Sequence, residues 1–269
     1  MKLGLSTYSF PWSIGASDFP TQKSFLWRSL LEFASQKKIN HVQFGDNYPL
    51  HELSPGELNE ISKTALENKI TLEVGTSGLK VSNIHNYLSI AKQLNSSFLR
   101  VVIDDNHFYP GKEEVIKTIN ILLPVLQEYN VCLAIENHDR FKAKDLEHII
   151  QKTSAQCVGI CLDTCNSLGA GEGIHEILPV LLPYTVNLHI KDFKIERVSH
   201  KMGFNIHGAV AGEGMLDIPW LLKECSTYEK CQTATLELWM DEEKDLNTTI
   251  VKEKQWIEKS INYLKKYIQ

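Results

Sequence analysis

Residues 131–163 read VCLAIENHDRFKAKDLEHIIQKTSAQCVGICLD. Two apolar runs, VCLAIE and VGICLD, flank a segment near 143–153 with helical periodicity, which predicts a strand, a helix and a second strand. The first run ends on Glu136 and the second on Asp163. Because the carboxyl ends of parallel strands lie at one edge of a sheet, both carboxylates are expected on the same side.

Two further polar side chains close apolar runs later in the chain. His189 follows TVNL and Glu237 follows TATL. Along the chain, Glu136 and Asp163 are 27 residues apart, Asp163 and His189 are 26 apart, and His189 and Glu237 are 48 apart, which is close to one, one and two repeats of a strand plus a helix. A barrel of such repeats would bring all four side chains to one rim.

The alternation within these runs separates an inner from an outer face. Every second residue before each polar residue lies on the same face of the strand, and all of these side chains are small or polar. The residues between them, on the opposite face, are apolar. The first set comprises Cys132, Ala134, Gly159, Cys161, Asn187, Thr233 and Thr235. A solvated strand end would explain any one of the four polar residues alone, but four in the same phase favour a common interior.

The rest of the chain repeats the pattern of strand and helix. Each predicted strand precedes a predicted helix without a break in composition, so we expect an α/β fold, a (β/α)8 TIM barrel forming a single domain over residues 1–269. The predicted strands cover 3–7, 41–44, 71–76, 98–103, 131–136, 158–163, 185–191 and 233–238. The predicted helices cover 21–38, 55–68, 82–94, 112–129, 143–153, 174–182, 218–226 and 242–267. The longest stretch without periodicity, 192–216, is predicted to be a functional loop on the polar rim.

Composition limits the classes of function. The chain has 269 residues, and a barrel of this kind takes about 250. A net charge of −5 argues against nucleic acid as a partner. The six cysteines lack paired spacing and predict reduced thiols, and no segment has the length of a membrane span or the features of a signal peptide. We therefore expect a cytoplasmic protein with a small-molecule sugar or polyol substrate and no membrane partner, and the sequence leaves a homo-oligomer open.

The four rim residues have the chemistry of metal ligands. Three carboxylates that converge in a pocket of low dielectric constant repel one another, and a divalent cation relieves that repulsion. Oxygen-rich ligation with a single imidazole favours Mn²⁺, Mg²⁺ or Co²⁺, and Zn²⁺ remains compatible. One divalent metal ion bound by Glu136, Asp163, His189 and Glu237 is therefore the predicted cofactor.

The same residues lie within motifs that resemble a known family. AIENH around Glu136, GICLDTCNS around Asp163, NLHIKD around His189, GEGMLDIPWLL at 212–222 and LELW around Glu237 resemble the xylose isomerase-like TIM barrels of the sugar phosphate isomerase/epimerase family. The resemblance covers the whole chain. It implies that the four residues bind one metal ion and that Glu136 and Glu237 also act as the catalytic acid and base.

The resemblance leaves several reactions open. The leading hypothesis is a sugar or keto-polyol isomerase or epimerase that removes a proton next to a carbonyl and forms an enediolate stabilised by the metal. An inosose dehydratase or another keto-sugar lyase would share the first step. A sugar-binding barrel without turnover and an apurinic endonuclease are the remaining alternatives, and the endonuclease would need further histidines that the chain lacks. Many relatives carry a histidine where this chain has Asn166, which cannot serve as an acid.

Five residues are predicted to contact substrate. Lys191 shares the inward parity of His189, and Arg197 follows in the loop; either could hold substrate hydroxyls or an oxyanion, with an exposed loop charge as the alternative. Asn166 could hydrogen-bond a substrate oxygen. His138, next to a ligand, is either a contact or a polar cap of the strand. Trp12 could form an apolar wall against sugar carbons, or pack within its loop.

Overall fold

The computed structural model describes residues 1–15 and 26–268. The strands are β1 (Lys2–Ser6), β2 (His41–Phe44), β3 (Thr71–Ser77), β4 (Phe98–Val102), β5 (Cys132–Glu136), β6 (Val158–Asp163), β7 (Thr185–Ile190), β8 (Phe193–Arg197), β9 (Phe204–Gly208) and β10 (Thr233–Leu236). The α-helices are α1 (Pro11–Ile14), α2 (Trp27–Gln36), α3 (Pro55–Glu67), α4 (Val81–Gln93), α5 (Lys112–Tyr129), α6 (Ala143–Lys152), α7 (Ile174–Leu181), α8 (Ile218–Cys225) and α9 (Leu246–Leu264).

Eight parallel strands close into a barrel in the order β1-β10-β7-β6-β5-β4-β3-β2. This confirms the predicted (β/α)8 TIM barrel. Leu133, Ile135, Leu162 and Leu188, with others of their parity, are fully buried outside the barrel against the helices. Burial of that apolar face holds the helices to the sheet.

The register aligns the polar rim. Asp163 of β6 lies directly opposite His189 of β7, and His189 lies opposite Thr235 of β10. Glu136 at the end of β5 pairs with Cys161. The polar residues that were predicted to face the barrel interior therefore lie side by side on neighbouring strands.

The segment between β7 and α8 is more regular than predicted. Instead of an irregular loop over 192–216, β8 and β9 form an antiparallel hairpin in which Phe193 pairs with Gly208 and Arg197 with Phe204. Both strands alternate apolar with polar residues, FKIER and FNIHG, but each is only five residues long, which gives a weak signal. The hairpin accounts for the separation of 48 residues between His189 and Glu237, because β7 and β10 are neighbours in the barrel.

Helix boundaries follow the sequence closely where they are described. Ser54 and Glu57 form a capping box at the start of α3, and Asn130 with φ 53° ends α5. The helix predicted over 21–38 is observed as α2, and its residues 21–25, like 16–20 and 269 of the predicted domain, lie outside the described residues. Within the described part of the chain, no helix has both the length and the apolar character needed to cross a membrane.

Candidate active site

The four predicted ligands meet at the carboxyl end of the barrel. Glu136, Asp163, His189 and Glu237 are each at most 2% exposed. His189 Nδ1 lies 3.3 Å from Glu237 Oε1 and 3.4 Å from Glu136 Oε2. One ligand atom each from Asp163, His189 and Glu237 falls within a 4.8 Å cluster. The closed barrel thus brings together residues that are about 100 positions apart in the chain.

Three ligand atoms in this cluster have no hydrogen-bond partner although they are buried. They are His189 Nδ1, Glu237 Oε1 and Asp163 Oδ2, of which the last also lies 3.0 Å from Lys191 Nζ. Buried acceptors left without a donor cost free energy, and a cation among them removes that cost. The chemistry of these residues fits a divalent ion that prefers oxygen and nitrogen ligands. Cys161 lies beside Glu136 and His189, and burial raises the pKa of its thiol well above the ordinary value.

The remaining oxygen of Asp163 is already occupied. Asp163 Oδ1 accepts hydrogen bonds of 2.7 Å from the backbone N–H groups of Cys165 and Asn166. Asn137 fixes the same strand end, because its Oδ1 accepts from Asp163 N at 2.7 Å and its Nδ2 donates to Asp163 O at 2.9 Å. The turn after β6 therefore orients Oδ2 toward the cluster, and Asn137 supports the strand instead of facing substrate.

Arg100 is a residue of the site that the sequence analysis missed. It comes from the middle of β4 and is 4% exposed. Its Nε donates to Glu136 Oε2, and its Nη1 donates to Asp46 Oδ1 at 2.6 Å. Burial alone would lower the pKa of Arg100, but the Glu136 and Asp46 carboxylates raise it well above the ordinary value. Gly75 makes room for Arg100, since a Cβ at that position would lie 3.1 Å from Arg100 Cδ.

Lys191 lies between two of the predicted ligands, as its parity predicts. Its Nζ is 3.0 Å from Asp163 Oδ2 and 3.1 Å from Glu237 Oε2. Burial would lower the pKa of Lys191, but Asp163, Glu237 and Glu136 raise it well above the ordinary value, so the amine is charged. Asn166 donates from Nδ2 to Glu136 Oε1 at 2.9 Å, and its Oδ1 lies 3.4 Å from Lys191 Nζ.

Two adjoining cavities open above the cluster. One has a volume of about 660 Å³ and is lined by Arg100, Glu136, Asn166 and His138 among others. The second, of about 470 Å³, has Trp12, Trp239 and Met240 in its wall. Tyr8, Lys191 and Glu237 line both. The cavities thus form one cleft with a polar half and a more apolar half.

The residues that were predicted to contact substrate do not all lie in the same part of the structure. Lys191 and Asn166 contact the ligand cluster. His138 lies at the rim, with Nδ1 2.7 Å from Asp139 Oδ1, and Trp12 lies in the wall, where its Nε1 donates to Met240 O at 3.0 Å. Arg197 is not brought to the cleft.

Arg197 instead lies on the exposed hairpin. Its Nη1 donates to Lys201 O at 3.0 Å, and its guanidinium stacks 4.7 Å from the centre of the Phe204 ring. Asp192, at the base of the hairpin, accepts from the backbone N–H groups of Gly212, Gly214 and Leu216 at 2.9 to 3.1 Å. Asp192 therefore fixes the turn before α8.

The sequence did contain a signal for the missed residues. Applied to the earlier strands, the same alternation turns Gln43, Glu73 and Arg100 inward, and each is a polar residue inside a buried strand. A polar residue at such a position needs a partner inside the barrel. The sequence of the strand that carries the polar residue does not show which residue is its partner.

Comparison with known proteins agrees with this geometry. The family model described as xylose isomerase-like TIM barrel matches residues 79–267, more than half of the chain. The chain belongs to the xylose isomerase-like TIM barrel family. The family resemblance in the sequence motifs is thereby confirmed.

Individual relatives differ in activity. The chain is 30% identical over 264 residues to a 3-oxo-isoapionate decarboxylase of Pectobacterium atrosepticum, covering 98% of this chain and 95% of the relative. A D-psicose 3-epimerase structure matches with a TM-score of 0.72 at 15% identity, covering 98% of this chain and 97% of the other. A xylose isomerase-like protein from Mycobacterium smegmatis in complex with magnesium matches with a TM-score of 0.66 at 12% identity, covering 97% and 96%. At these identities the two structures establish a shared fold alone.

Proposed function

We propose that this protein is a divalent-metal-dependent lyase that removes CO2 from a small 3-oxo sugar acid. The observation that carries the proposal is that neither candidate base is free. Glu136 accepts from Arg100 through one oxygen and from Asn166 through the other. Glu237 has one oxygen 3.1 Å from Lys191 Nζ and the other in the ligand cluster.

Proton abstraction from carbon needs a carboxylate with a lone pair directed at the substrate. Each oxygen of Glu136 and Glu237 already faces a partner, namely the Arg100 guanidinium, the Asn166 amide, the Lys191 ammonium or the ligand cluster. Loss of CO2 from a 3-oxo acid needs no base, because the electron pair of the breaking C–C bond passes to the adjacent carbonyl. This reaction therefore fits the charge arrangement better than the isomerase or epimerase reaction that the sequence motifs favour.

Asp163, His189 and Glu237 would hold the metal ion, with Glu136 beside them. When bound, the ion supplies a Lewis acid that stabilises the charge developing on the carbonyl oxygen. Arg100 holds Glu136 in place, and the Lys191 ammonium places positive charge in the cleft next to the site of an anionic substrate. Each contribution is electrostatic and stronger in a buried cleft than in water.

Lys191 is also the proton donor in this proposal. After the C–C bond breaks and CO2 leaves, the substrate remains as an enolate with the electron pair. One proton from Lys191 Nζ to the carbon that lost CO2 gives the ketose, and water returns a proton to the amine. Lys191 suits this step because its charged Nζ lines both halves of the cleft.

The similarity to the 3-oxo-isoapionate decarboxylase supports the same class of substrate, since it extends over 98% of the chain. The name of that relative describes a carboxylate with a carbonyl at the third carbon. A cavity of about 660 Å³ with a polar lining also suits a small polyhydroxylated molecule.

The test is CO2 release. The protein is loaded with Mn²⁺ and mixed in ²H2O with a 3-oxo sugar acid made by oxidation of the corresponding hydroxy acid. We expect CO2 release above the spontaneous rate, one deuterium in the product and loss of activity with EDTA. An Asp163→Asn variant serves as the control for metal loss. Absence of CO2 release from a panel of such acids would reject the lyase.

A sugar epimerase or isomerase is the second candidate. The favouring observation is that Glu136 Oε2 and Glu237 Oε1 both lie within 3.4 Å of His189 Nδ1, so that two carboxylates approach one point. A ketose incubated in ²H2O would then exchange its acidic C–H proton and yield the epimer without CO2. Replacement of Glu136 or Glu237 by Gln, with metal content unchanged, should lower that exchange by about 10²-fold or more.

A further inference from the structure

A chain of three buried side chains runs beneath the ligand cluster. His189 Nε2 lies 2.7 Å from Gln43 Oε1, on the side of the ring away from the cluster. Gln43 Nε2 donates to Glu73 Oε2 at 3.1 Å. Gln43 is 1% exposed and Glu73 is 3% exposed. The proposed reaction uses neither of them, so a buried carboxylate and a buried amide remain to be explained.

The direction of the chain can be assigned from its members. A carboxylate accepts hydrogen bonds, so the Gln43 group facing Glu73 is the NH2 group, and the carbonyl oxygen faces His189. That oxygen can only accept, so His189 Nε2 carries the proton. A neutral imidazole with its proton on Nε2 has its free lone pair on Nδ1. Nδ1 is the atom in the ligand cluster.

Asn187 holds the amide of Gln43 from a second side. Gln43 Nε2 also donates to Asn187 Oδ1 at 3.2 Å. Asn187 Nδ2 donates to Thr233 Oγ1 at 2.6 Å and to Thr235 Oγ1 at 3.1 Å. A flip of the Gln43 amide would turn its carbonyl oxygen toward the oxygens of Glu73 and Asn187. The carboxylate of Glu73, which can only accept, therefore disfavours the flipped orientation, and Asn187 opposes it as long as its own amide keeps its bonds to the two threonines.

The surroundings of Nδ1 favour the opposite tautomer. Glu136 and Glu237 lie within 3.4 Å of Nδ1 and would attract a proton to it. A proton on Nδ1 blocks the lone pair that a metal ion needs. Without a hydrogen-bond acceptor at Nε2, the imidazole of His189 in the metal-free site would keep its proton on Nδ1, and Nδ1 could then not bind the ion.

We propose that Gln43 is a positioning residue whose carbonyl oxygen keeps the proton of His189 on Nε2 and so leaves Nδ1 available as a metal ligand. Glu73 and Asn187 fix the orientation of the amide. The inference rests on the metal site in the proposed function and adds the residues that prepare it. Partners behind a ligand histidine commonly change metal affinity by about 10- to 100-fold.

Three variants separate an acceptor at position 43 from other effects. Gln43→Met keeps the size of the side chain and removes the acceptor. The pair Gln43→Glu with Glu73→Gln exchanges the two functional groups, so that the carboxylate at 43 still accepts from His189 and the amide at 73 donates to it. In the exchanged pair the Asn187 amide must turn so that its NH2 group faces the carboxylate at position 43. The hydroxyls of Thr233 and Thr235 can then donate to Asn187 instead of accepting from it, since a hydroxyl does both. Glu73→Gln alone lets the Gln43 amide turn, because a glutamine at position 73 can donate as well as accept, so its effect should lie between those of the other two variants.

Two readouts are needed, and one is independent of activity and of metal. Affinity for Mn²⁺ is measured by titration calorimetry. The tautomer of His189 is read from the imidazole ¹⁵N shifts of the metal-free protein, recorded over a series of pH values. The His189 signal is assigned among the 10 histidines by its loss in His189→Gln.

We expect Gln43→Met to weaken Mn²⁺ binding by about 10- to 100-fold and to shift the proton toward Nδ1, while the exchanged pair stays within about threefold of the parent and Glu73→Gln falls between them. Unchanged binding and tautomer in Gln43→Met would overturn the proposal. Equal weakening in Gln43→Met and in the exchanged pair would also overturn it, because an acceptor at 43 would then not matter. If the parent protein binds no divalent ion, the proposed function fails, and the ¹⁵N shifts still decide the tautomer.

Discussion

Replacing Arg100 with Met tests the charge arrangement on which the proposed reaction depends. The substitution keeps an extended side chain in β4 and removes the guanidinium that pairs with Glu136 and Asp46. The carboxylate of Glu136 is 1% exposed as a side chain, and Asp46 is 27% exposed. Glu136 is therefore left as a buried charge without its cation, whereas water can solvate Asp46.

The expected loss of stability follows from that difference in burial. Removal of one partner of a buried ion pair costs about 3–5 kcal/mol. The pair with Asp46, whose carboxylate is partly exposed, adds about 1 kcal/mol. For a chain of this length the loss corresponds to a decrease in Tm on the order of 10 °C. The double variant Arg100→Met with Glu136→Gln should recover roughly half or more of the loss, since no uncompensated charge remains.

The assay is urea unfolding followed by circular dichroism, first in EDTA and then with Mn²⁺. We expect a smaller loss with Mn²⁺, because a cation beside Glu136 replaces part of the missing charge. The two single variants and the double variant form a thermodynamic cycle. If the effects of Arg100→Met and Glu136→Gln add to within about 0.5 kcal/mol, the two residues are not coupled. Glu136 would then be free to act as a base, and the main argument for the lyase would be lost.

Three further predictions concern single positions. Asp163→Asn and His189→Ala should each lower the metal content below about one ion per chain, as measured by elemental analysis, while the far-UV circular dichroism spectrum stays unchanged. Loss of the fold with the metal retained would make these residues structural. Lys191→Met should lower the rate of product formation by about 10²-fold or more at saturating metal, measured by product release under single-turnover conditions, and a near-native rate would remove Lys191 as the proton donor. Burial raises the pKa of Glu253 from its usual value to about 7, against the hydrogen bonds from Ser13 and Trp12 that lower it. Because the folded-state pKa is the higher one, the protonated form stabilises the fold at acidic pH, and this contribution of up to roughly 3 kcal/mol is lost as pH rises through 7. The urea concentration at the midpoint of unfolding should fall more steeply with increasing pH in the parent than in Glu253→Gln. Parallel curves would show that Glu253 does not titrate with folding.

The alternation along each strand was sufficient to predict the barrel and its rim. Period-two patterning is local, so the inward parity of Glu136, Asp163 and His189 could be assigned from a few residues on each side. The same rule placed Lys191 inside, where it pairs with Asp163 and Glu237. The number and order of the strand and helix repeats gave the closed topology, which the structure confirms.

The contacts between strands required the tertiary structure. Arg100 and Glu136 lie on neighbouring strands, and Gln43 and His189 lie 146 positions apart, so their pairing depends on the register and closure of the barrel. Arg197 follows the rim in sequence but lies on a hairpin that carries it away from the cleft.

Alternation along a single strand was thus enough to assign which side chains face the interior, because it depends on the backbone of that strand alone. Which of these side chains neutralise or orient one another follows from the closed barrel, because those interactions act over a few ångströms between segments remote in sequence. At the candidate site, Glu136, Glu237 and His189 could be assigned to the rim from their own strands, whereas their contacts with Arg100, Lys191 and Gln43 arise from closure of the barrel.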